Sequence, residues 1–372
     1  AGLRYGAAQQ RKKVKIFQNV PDLKMAGDSN IAVIVSSNIE WTKDAADLLR
    51  ADGYKMILVG ASFETLGEDF SGPTLDRKGL VKKMLTYFVS AGRTKIACVG
   101  SLSNSINDQS RCQAFLSIGK TLGLSVSIHD VYDADQGLSL CVERFLDKAD
   151  RYDGAVCVND MVAIELLAQA KQRGIIVPDQ LFVAGSGNFR MGRAVTPTLT
   201  TTTLDYYQMG VLATDIWQLM QKYKNSDRIQ ISLPLELIVR ESTAGFSPGV
   251  MAQEDLLRQV EKHTFEADHA AGFLRKLENC LMTCDPLDIK ILSGIYSNES
   301  IPSMAQRLFV SMGTINYRLK QLYTRTNIGQ KNVLMQQLRK YFSSVTALEN
   351  MGQACSDGSC KALYNFEAEQ VI

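Results

Sequence analysis

Short, uninterrupted apolar runs recur along the first two thirds of the chain: KVKIF at 13–17, IAVIVS at 31–36, KMILV at 55–59, KIACVG at 95–100, GAVCV at 154–158 and LFVAG at 181–185. Runs this short, apolar at both odd and even positions, predict strands covered on both faces. Between them the apolar residues fall at three- and four-residue steps, which predicts helices over 3–11, 42–51, 80–91, 109–121, 137–146, 161–173 and 206–223. A less regular helix is expected at 21–28, and further strands at 126–130 and 235–241. Strands alternating with helices make an α/β class with parallel sheets. Such a domain should open on a central strand. This chain opens on a helix, which implies that a first strand is missing upstream and that the chain is N-terminally truncated.

Beyond residue 245 the pattern changes. FSPG at 246–249 breaks structure. Residues 253–281 then read as one long helix, with Leu257, Val260, Thr264, Ala267, Ala271 and Leu274 in a loose heptad. Two readings of that helix stay open: an ordinary helix packed on one domain, or a parallel pair joining two copies in a homodimer. Residues 301–327 hold two short amphipathic patterns around a tight turn, one through Ile301, Met304, Ala305 and Leu308, the other through Ile315, Leu319 and Leu322. Ser311 stands at the N-cap of the second. Two helices crossing over a small turn form a helix-turn-helix. With Ile315, Leu319 and Leu322 inward, Gly313, Tyr317, Lys320 and Thr324 face out, with Asn316 at the shoulder. After residue 346 the sequence is polar and aperiodic, as in a flexible tail.

Charge sharpens this picture. The 372 residues carry a net charge of only +2. Residues 284–342 hold eight Lys and Arg against three Asp and Glu, and no acidic residue lies between 300 and 342. Positive charge confined to one terminal module suits a phosphate-bearing partner for that module alone. No run of 18 apolar residues is present, so no membrane span is expected, and no signal peptide opens the chain. The eight cysteines are scattered, and the three histidines are not at ligand spacing from the Cys280/Cys284 or Cys355/Cys360 pairs. Neither a metal nor a cofactor is expected, and reduced thiols point to the cytoplasm. No carboxylate pair, Ser/His/Asp set or Cys/His pair converges, so the chain does not read as an enzyme.

Two resemblances follow from particular phrases. Residues 285–342, with LDIKILSGIYSN, MAQRLFVS, SMGTINYRLKQLYTRTNI and NVLMQQLRKYF, resemble the DNA-binding domain of LuxR-type regulators. That resemblance implies DNA contacts at Asn316, Tyr317 and Lys320. We extend the expected surface to Ser311, Gly313, Thr314 and Arg318, although the family usually has Lys in place of Asn316 and often His in place of Arg318. The phrases VPDQLFVAG, TPTLTT and LPLELIVREST, with Arg111 opening RCQAFLSIGKTLGL, resemble the effector-binding domain of the lactose- and purine-repressor family, a type I periplasmic-binding-protein fold. That fold implies two α/β lobes facing one another across a cleft.

The resemblance makes Arg111 and Asn159 effector contacts. A guanidinium at the start of a helix can fork onto a carboxylate or paired hydroxyls, or form a salt bridge, and an amide both donates and accepts. Asp76 either touches ligand or caps its own helix, and Asp160 reads as the cap of the helix after Asn159. The family phrase Gly-Phe-Asp-Asp is Gly185-Ser186-Gly187-Asn188 here, which removes one contacting carboxylate and leaves Asn188 to compensate. The resulting expectation is an effector-binding domain at 1–245, a linker and dimerisation helix at 246–283, a helix-turn-helix at 284–342 and a tail at 343–372. Its partners are a double-stranded DNA operator and a small, sugar-like effector. The rival is a sensor whose terminal helices contact a protein.

Overall fold

A computed structural model describes residues 1–26, 30–61, 70–203, 205–223, 225–226, 228–244, 269–353 and 370–371. The first lobe begins with α1 (Gly2–Gln9), α2 (Val20–Ala26), β1 (Ile31–Val35), α3 (Ile39–Ala51), β2 (Lys55–Val59) and β3 (Gly72–Leu75). The chain crosses through α4 (Arg77–Ser90) into β4 (Ile96–Ser101), α5 (Ile106–Thr121), β5 (Val131–Asp133), α6 (Leu138–Leu146), β6 (Gly154–Cys157), α7 (Asp160–Gln172), β7 (Phe182–Ala184) and β8 (Thr201–Thr202). It returns with α8 (Tyr206–Lys222) and β9 (Gln230–Leu233), then crosses again at β10 (Leu237–Ile238). Six helices follow: α9 (His269–Thr283), α10 (Pro286–Tyr296), α11 (Ile301–Arg307), α12 (Met312–Thr326), α13 (Lys331–Tyr341) and α14 (Val345–Gln353). The last described element is β11 (Gln370–Val371).

Period-two alternation explains the first lobe. β1 pairs in parallel with β2, and its residues part to two cores. Ala32 and Ile34 join Leu49, Ala45 and Ala46 of α3 on one face. Ile31 and Val33 join Met209, Ala213 and Ile216 of α8 on the other. β3 pairs in parallel with β9, and β11 pairs antiparallel with β1 through Ile34 and Val35. The second lobe is a four-stranded parallel sheet in the order β5-β4-β6-β7, and every residue of β4 is buried.

The expected α/β class with parallel sheets is present, with local departures. Residues 13–16 are irregular, so KVKIF is not a strand: Lys13, Lys15 and Ile16 are exposed, which leaves no second buried face. The strand expected at 126–130 lies later, at Val131–Asp133. Ser127 caps a short 3₁₀ turn at Ile128–Asp130 through a box with Asp130, and this delays the chain's entry into the sheet. The strand expected at 235–241 is shorter, Leu237–Ile238, because β8, against which it pairs, offers only Thr201 and Thr202 as partners. The break at 246–249, the heptad positions from Leu257 to Ala267 and residues 354–369 of the expected tail lie outside the described residues. The tail's first part is not aperiodic but forms α14, with Leu348 buried in the core. Of the long helix, α9 is described from His269.

α9 and the helices after it pack on the second lobe. Leu274, Leu277, Cys280, Leu281, Ile295, Leu319 and Leu338 belong to the same continuous core as Val99, Phe115 and Phe182. Lys340 Nζ donates to both carboxylate oxygens of Glu165 on α7, at 2.9 and 3.0 Å, and Tyr341 OH donates to Glu165 at 2.9 Å. Glu165 is itself only 1% exposed, so this pair is shielded from solvent on the second-lobe side.

Candidate functional site: an interlobe cleft and an exposed helix face

The lobes meet where loops at the carboxyl ends of their strands face each other. Ile39 N–H donates to the Asn104 carbonyl and Ile106 N–H to the Ser37 carbonyl, each at 2.9 Å. The Gly60 carbonyl, after β2, accepts from Asn107 Nδ2 at 2.7 Å and from the Arg77 guanidinium at 3.2 Å. Gly60 can end the strand this way because its φ is +90°. Ser105 caps α5 by accepting from Asp108 N–H. This sets Asn107, Asp108 and Arg111 on the first turns of a helix at the lobe boundary.

Arg111 pairs with Asp108 at 2.9 Å, and both side chains are largely buried. Burial pushes the Asp108 carboxyl above its usual range, against the pull of the Arg111 guanidinium. The same Arg111 lines a small cavity with Leu80, Met84, Phe115, Val158 and Ser186. Arg111 Nε, Asn107 Oδ1, Ser103 Oγ and Asp135 Oδ2 are buried without a hydrogen-bond partner among the described residues. Of these four residues Arg111 lines the cavity, where Ser186 is the other polar side chain and the remaining lining is apolar. Buried polar atoms are normally satisfied, so its Nε is free to receive a small polar group there. Both readings of Arg111 hold together here: it is in a salt bridge and it faces the cavity.

The other expected effector residues serve the scaffold first. Asp76 is exposed and caps α4, accepting from Gly79 N–H at 2.8 Å. Asn159 caps α7 through its Oδ1, which accepts from Val162 N–H at 3.0 Å, and its amide nitrogen takes no part in that bond. Asp160 is therefore not the cap. It is fully buried, accepting from Phe189 N–H at 2.7 Å and from Thr201 Oγ1 at 2.5 Å. Burial raises its carboxyl to about 6. Asn188 sits in the left-handed region, at φ +53°, and its Oδ1 accepts from the Arg240 guanidinium at 2.7 Å. Ser186, not Asn188, reaches the cavity. The sequence reading missed Asn107, Asp108 and Asp135. The signal for Asn107 and Asp108 was the Ser- and Asn-rich loop before Arg111, whose polar residues had no apolar periodicity to place them; Asp135, in the DADQG loop at 133–137, carried none.

The second site is the outer face of α12. Ser311 caps this helix, accepting from Thr314 N–H at 3.0 Å. Ile315, Leu319 and Leu322 are buried, and Ser311, Gly313, Asn316, Tyr317 and Lys320 are exposed, with Tyr317 at 63%. Thr314 is half-buried. Arg318 departs from its expected place. It turns inward to Asp285 at 2.5 Å and Asp288 at 3.1 Å, because those two carboxylates form the capping box at the start of α10 beside it.

The basic residues counted between 300 and 342 are mostly engaged too. Arg307 binds Glu299, Arg325 reaches Asp288, Lys340 holds Glu165, and Lys331 and Arg339 donate to backbone carbonyls. Among the described residues, Lys320 is the one of the seven whose side chain takes no such partner. The turn before α12 carries Phe309, at φ +53° and 96% exposed. No group of His, Cys, Asp and Glu among the described residues is arranged to hold a metal. No helix among them is long and apolar enough to cross a membrane.

Comparison with known proteins agrees with this architecture. Residues 85–243 match the family model described as "Periplasmic binding protein-like domain". The chain is 26% identical over 224 residues to the HTH-type transcriptional repressor PurR of Photobacterium profundum, covering 59% of this chain and 66% of that protein. It is 24% identical over 242 residues to catabolite control protein A of Priestia megaterium, covering 63% and 69%. Matches to other PurR proteins cover 48% to 70% of their length, so the chain spans roughly half to seven tenths of the relatives it matches. Among solved structures, a CelR–cellobiose complex superposes with a TM-score of 0.57 at 15% identity, over 65% of this chain and 76% of the other. A sucrose-bound LacI family regulator from Weissella paramesenteroides gives 0.53 at 20% identity, over 65% and 91%. Residues 85–243 thus carry a periplasmic-binding-protein-like domain in an α/β fold with parallel sheets.

Proposed function

We propose that this chain is a ligand-responsive, DNA-binding transcription regulator and not an enzyme. A small, sugar-like molecule enters between the lobes, near Arg111, Asn159, Asp76 and Asn188. α11 and α12 act as a helix-turn-helix of LuxR type, and Ser311, Gly313, Thr314, Asn316, Tyr317 and Lys320 meet an operator. Arg318 holds the module together from inside. The protein works as a homodimer in the cytoplasm, its two recognition helices reading two half-sites. The relatives named above are transcriptional repressors and regulators, and two solved structures of the same fold hold cellobiose and sucrose.

The observation that carries this reading is the exposed face of α12. Lys320 is an unengaged cation beside an exposed Tyr317 and the amide of Asn316, and Gly313 lets a duplex backbone approach closely. The test is selection from a random duplex library by the intact chain at two salt concentrations. Enrichment of a twofold-symmetric site is expected, with Tyr317→Ala abolishing it and Lys320→Ala lowering the salt slope by about one. Retention that ignores salt, or two unaffected variants, refutes the assignment. The second reading, a sensor whose helices contact a protein, is favoured by Phe309, an exposed aromatic next to that face. It predicts no salt-dependent DNA retention.

A further inference from the structure

A continuous set of bonds leads from the cleft to α12. Ser186 lines the cavity beside Arg111, and Gly187 and Asn188 follow it with φ of +134° and +53°. The next three backbone N–H groups all end on buried carboxylates. Phe189 donates to Asp160, Arg190 to Glu278 Oε1 at 2.7 Å, and Met191 to Glu278 Oε2 at 3.1 Å. Glu278 belongs to α9 and is 2% exposed. The Arg190 guanidinium also donates to the Leu281 carbonyl, so consecutive loop residues hold α9 at two neighbouring places. Four residues on, Asp285 caps α10 and receives Arg318 of α12 at 2.5 Å. α9 itself packs against α12.

Glu278 is an unusual choice for such a joint. An apolar pair would fill a buried interface without the desolvation penalty of a carboxylate. A carboxylate that accepts only main-chain N–H groups responds to where the loop backbone lies, whatever its side chains are. If the loop moves when a molecule occupies the cavity, the N–H groups leave and a buried charge loses its partners. α9 must then follow the loop or expose Glu278.

We propose that Glu278 is a positioning residue that couples the cleft loop at 185–191 to α12, so that cavity occupancy and the DNA-facing helix bias one another. This rests on the reading of the cleft and of α12 given above. Linkage is reciprocal, so DNA must act on the loop as strongly as a cleft molecule acts on α12. The test uses the full chain, random-sequence duplex DNA at low salt, and amide hydrogen exchange. DNA is expected to slow exchange in α12 and to change exchange at Phe189, Arg190 and Met191 by about fivefold or more. In Glu278→Ala the α12 protection should persist while the loop response disappears. Glu278→Gln, which keeps one acceptor oxygen, should restore part of it.

Protection of α12 with an unchanged loop overturns the coupling, as does an equal loop response in Glu278→Ala. If DNA leaves α12 unprotected, the DNA reading fails instead. The coupling is then tested from the cleft with Ser186→Thr, which keeps the hydroxyl that bonds Thr202 and adds one methyl group at the cavity wall. Altered exchange in α9 and α12, absent when Glu278→Ala is added, supports it. Unaltered exchange there refutes it.

Discussion

At the scale of single residues, one charge separates folding from recognition. Arg318 lies on the helix expected to meet DNA, yet its guanidinium closes the α10 capping box through Asp285 and Asp288. Asp288 is 2% exposed, and its other cation, Arg325, stands at 3.5 Å. Removing Arg318 leaves a buried carboxylate poorly paired. Arg318→Ala should therefore destabilise the C-terminal helices by about 2 kcal/mol, part of the penalty for breaking a buried pair. Thermal melting checks this. DNA affinity per folded molecule should fall far less than in Tyr317→Ala, and an Arg318→Ala protein that melts normally but has lost DNA would return the residue to the contact surface. The same residue shows why charge counts mislead. Sequence gives the sum of charge in a segment, while the ion pairs that consume it are tertiary, as with Arg307 and Glu299 or Lys340 and Glu165.

At the scale of elements, the strands were legible where apolar residues run on both parities, as in IAVIVS, KMILV and GAVCV. KVKIF has the same look, but its basic residues remain in solvent and no sheet forms there. The cap at Ser311 follows local chemistry and could be read locally. At the start of α7 two adjacent candidates, Asn159 and Asp160, could not be told apart, since only burial against Phe189 and Thr201 takes Asp160 out of the cap. Nor could the pairing of a loop with a distant helix be read locally: Arg190 and Glu278 are 88 positions apart, and nothing in either neighbourhood announces the other. That docking also titrates. Burial raises Glu278 to about 7, opposed by the Arg190 and Met191 N–H groups and the Arg190 charge, with Asp160 adding to the rise. A carboxyl raised on folding contributes stability that is present at low pH and is lost as pH climbs through its folded value. Stability should thus decline between about pH 4.5 and 7, by at most ~3 kcal/mol from Glu278. Glu278→Gln should flatten part of that decline in melting temperature. A profile unchanged by the substitution would remove Glu278 as its source.

For the whole molecule, the second lobe and the six C-terminal helices share one core, while the first lobe keeps two of its own. The polar part of that union includes Glu165 with Lys340 and Tyr341, Thr196 with Ser343 at 2.6 Å, and the Arg190 and Met191 bonds to Glu278 of α9. Glu165→Ala leaves an ammonium and a phenol without their acceptor, a loss of about 3 kcal/mol. It should split a single calorimetric transition of these parts into two. A single, unshifted transition would mean that the apolar contacts and the Glu278 bonds suffice to unite them without Glu165. The two-lobed plan was visible from sequence through the resemblance carried by VPDQLFVAG, TPTLTT and LPLELIVREST, phrases that are each local. The attachment of the helices to one particular lobe was not, since it depends on residues 175 and 176 positions apart.

β11 gives the chain an order in space unlike its order in sequence. Gln370 and Val371 follow the helices that pack on the second lobe, yet they add a strand to β1 in the first, beside the sheet that α8 and α1 cover. Any alteration made at these residues is therefore made to the first lobe. A fusion partner attached beyond them would press on the edge of β1, whereas one placed after α14 would not. Deleting them would bare the main-chain groups of Ile34 and Val35, an open strand edge onto which another extended chain can add. Self-association following so small a deletion would be a property of that edge, and would say nothing about the oligomer of the intact chain.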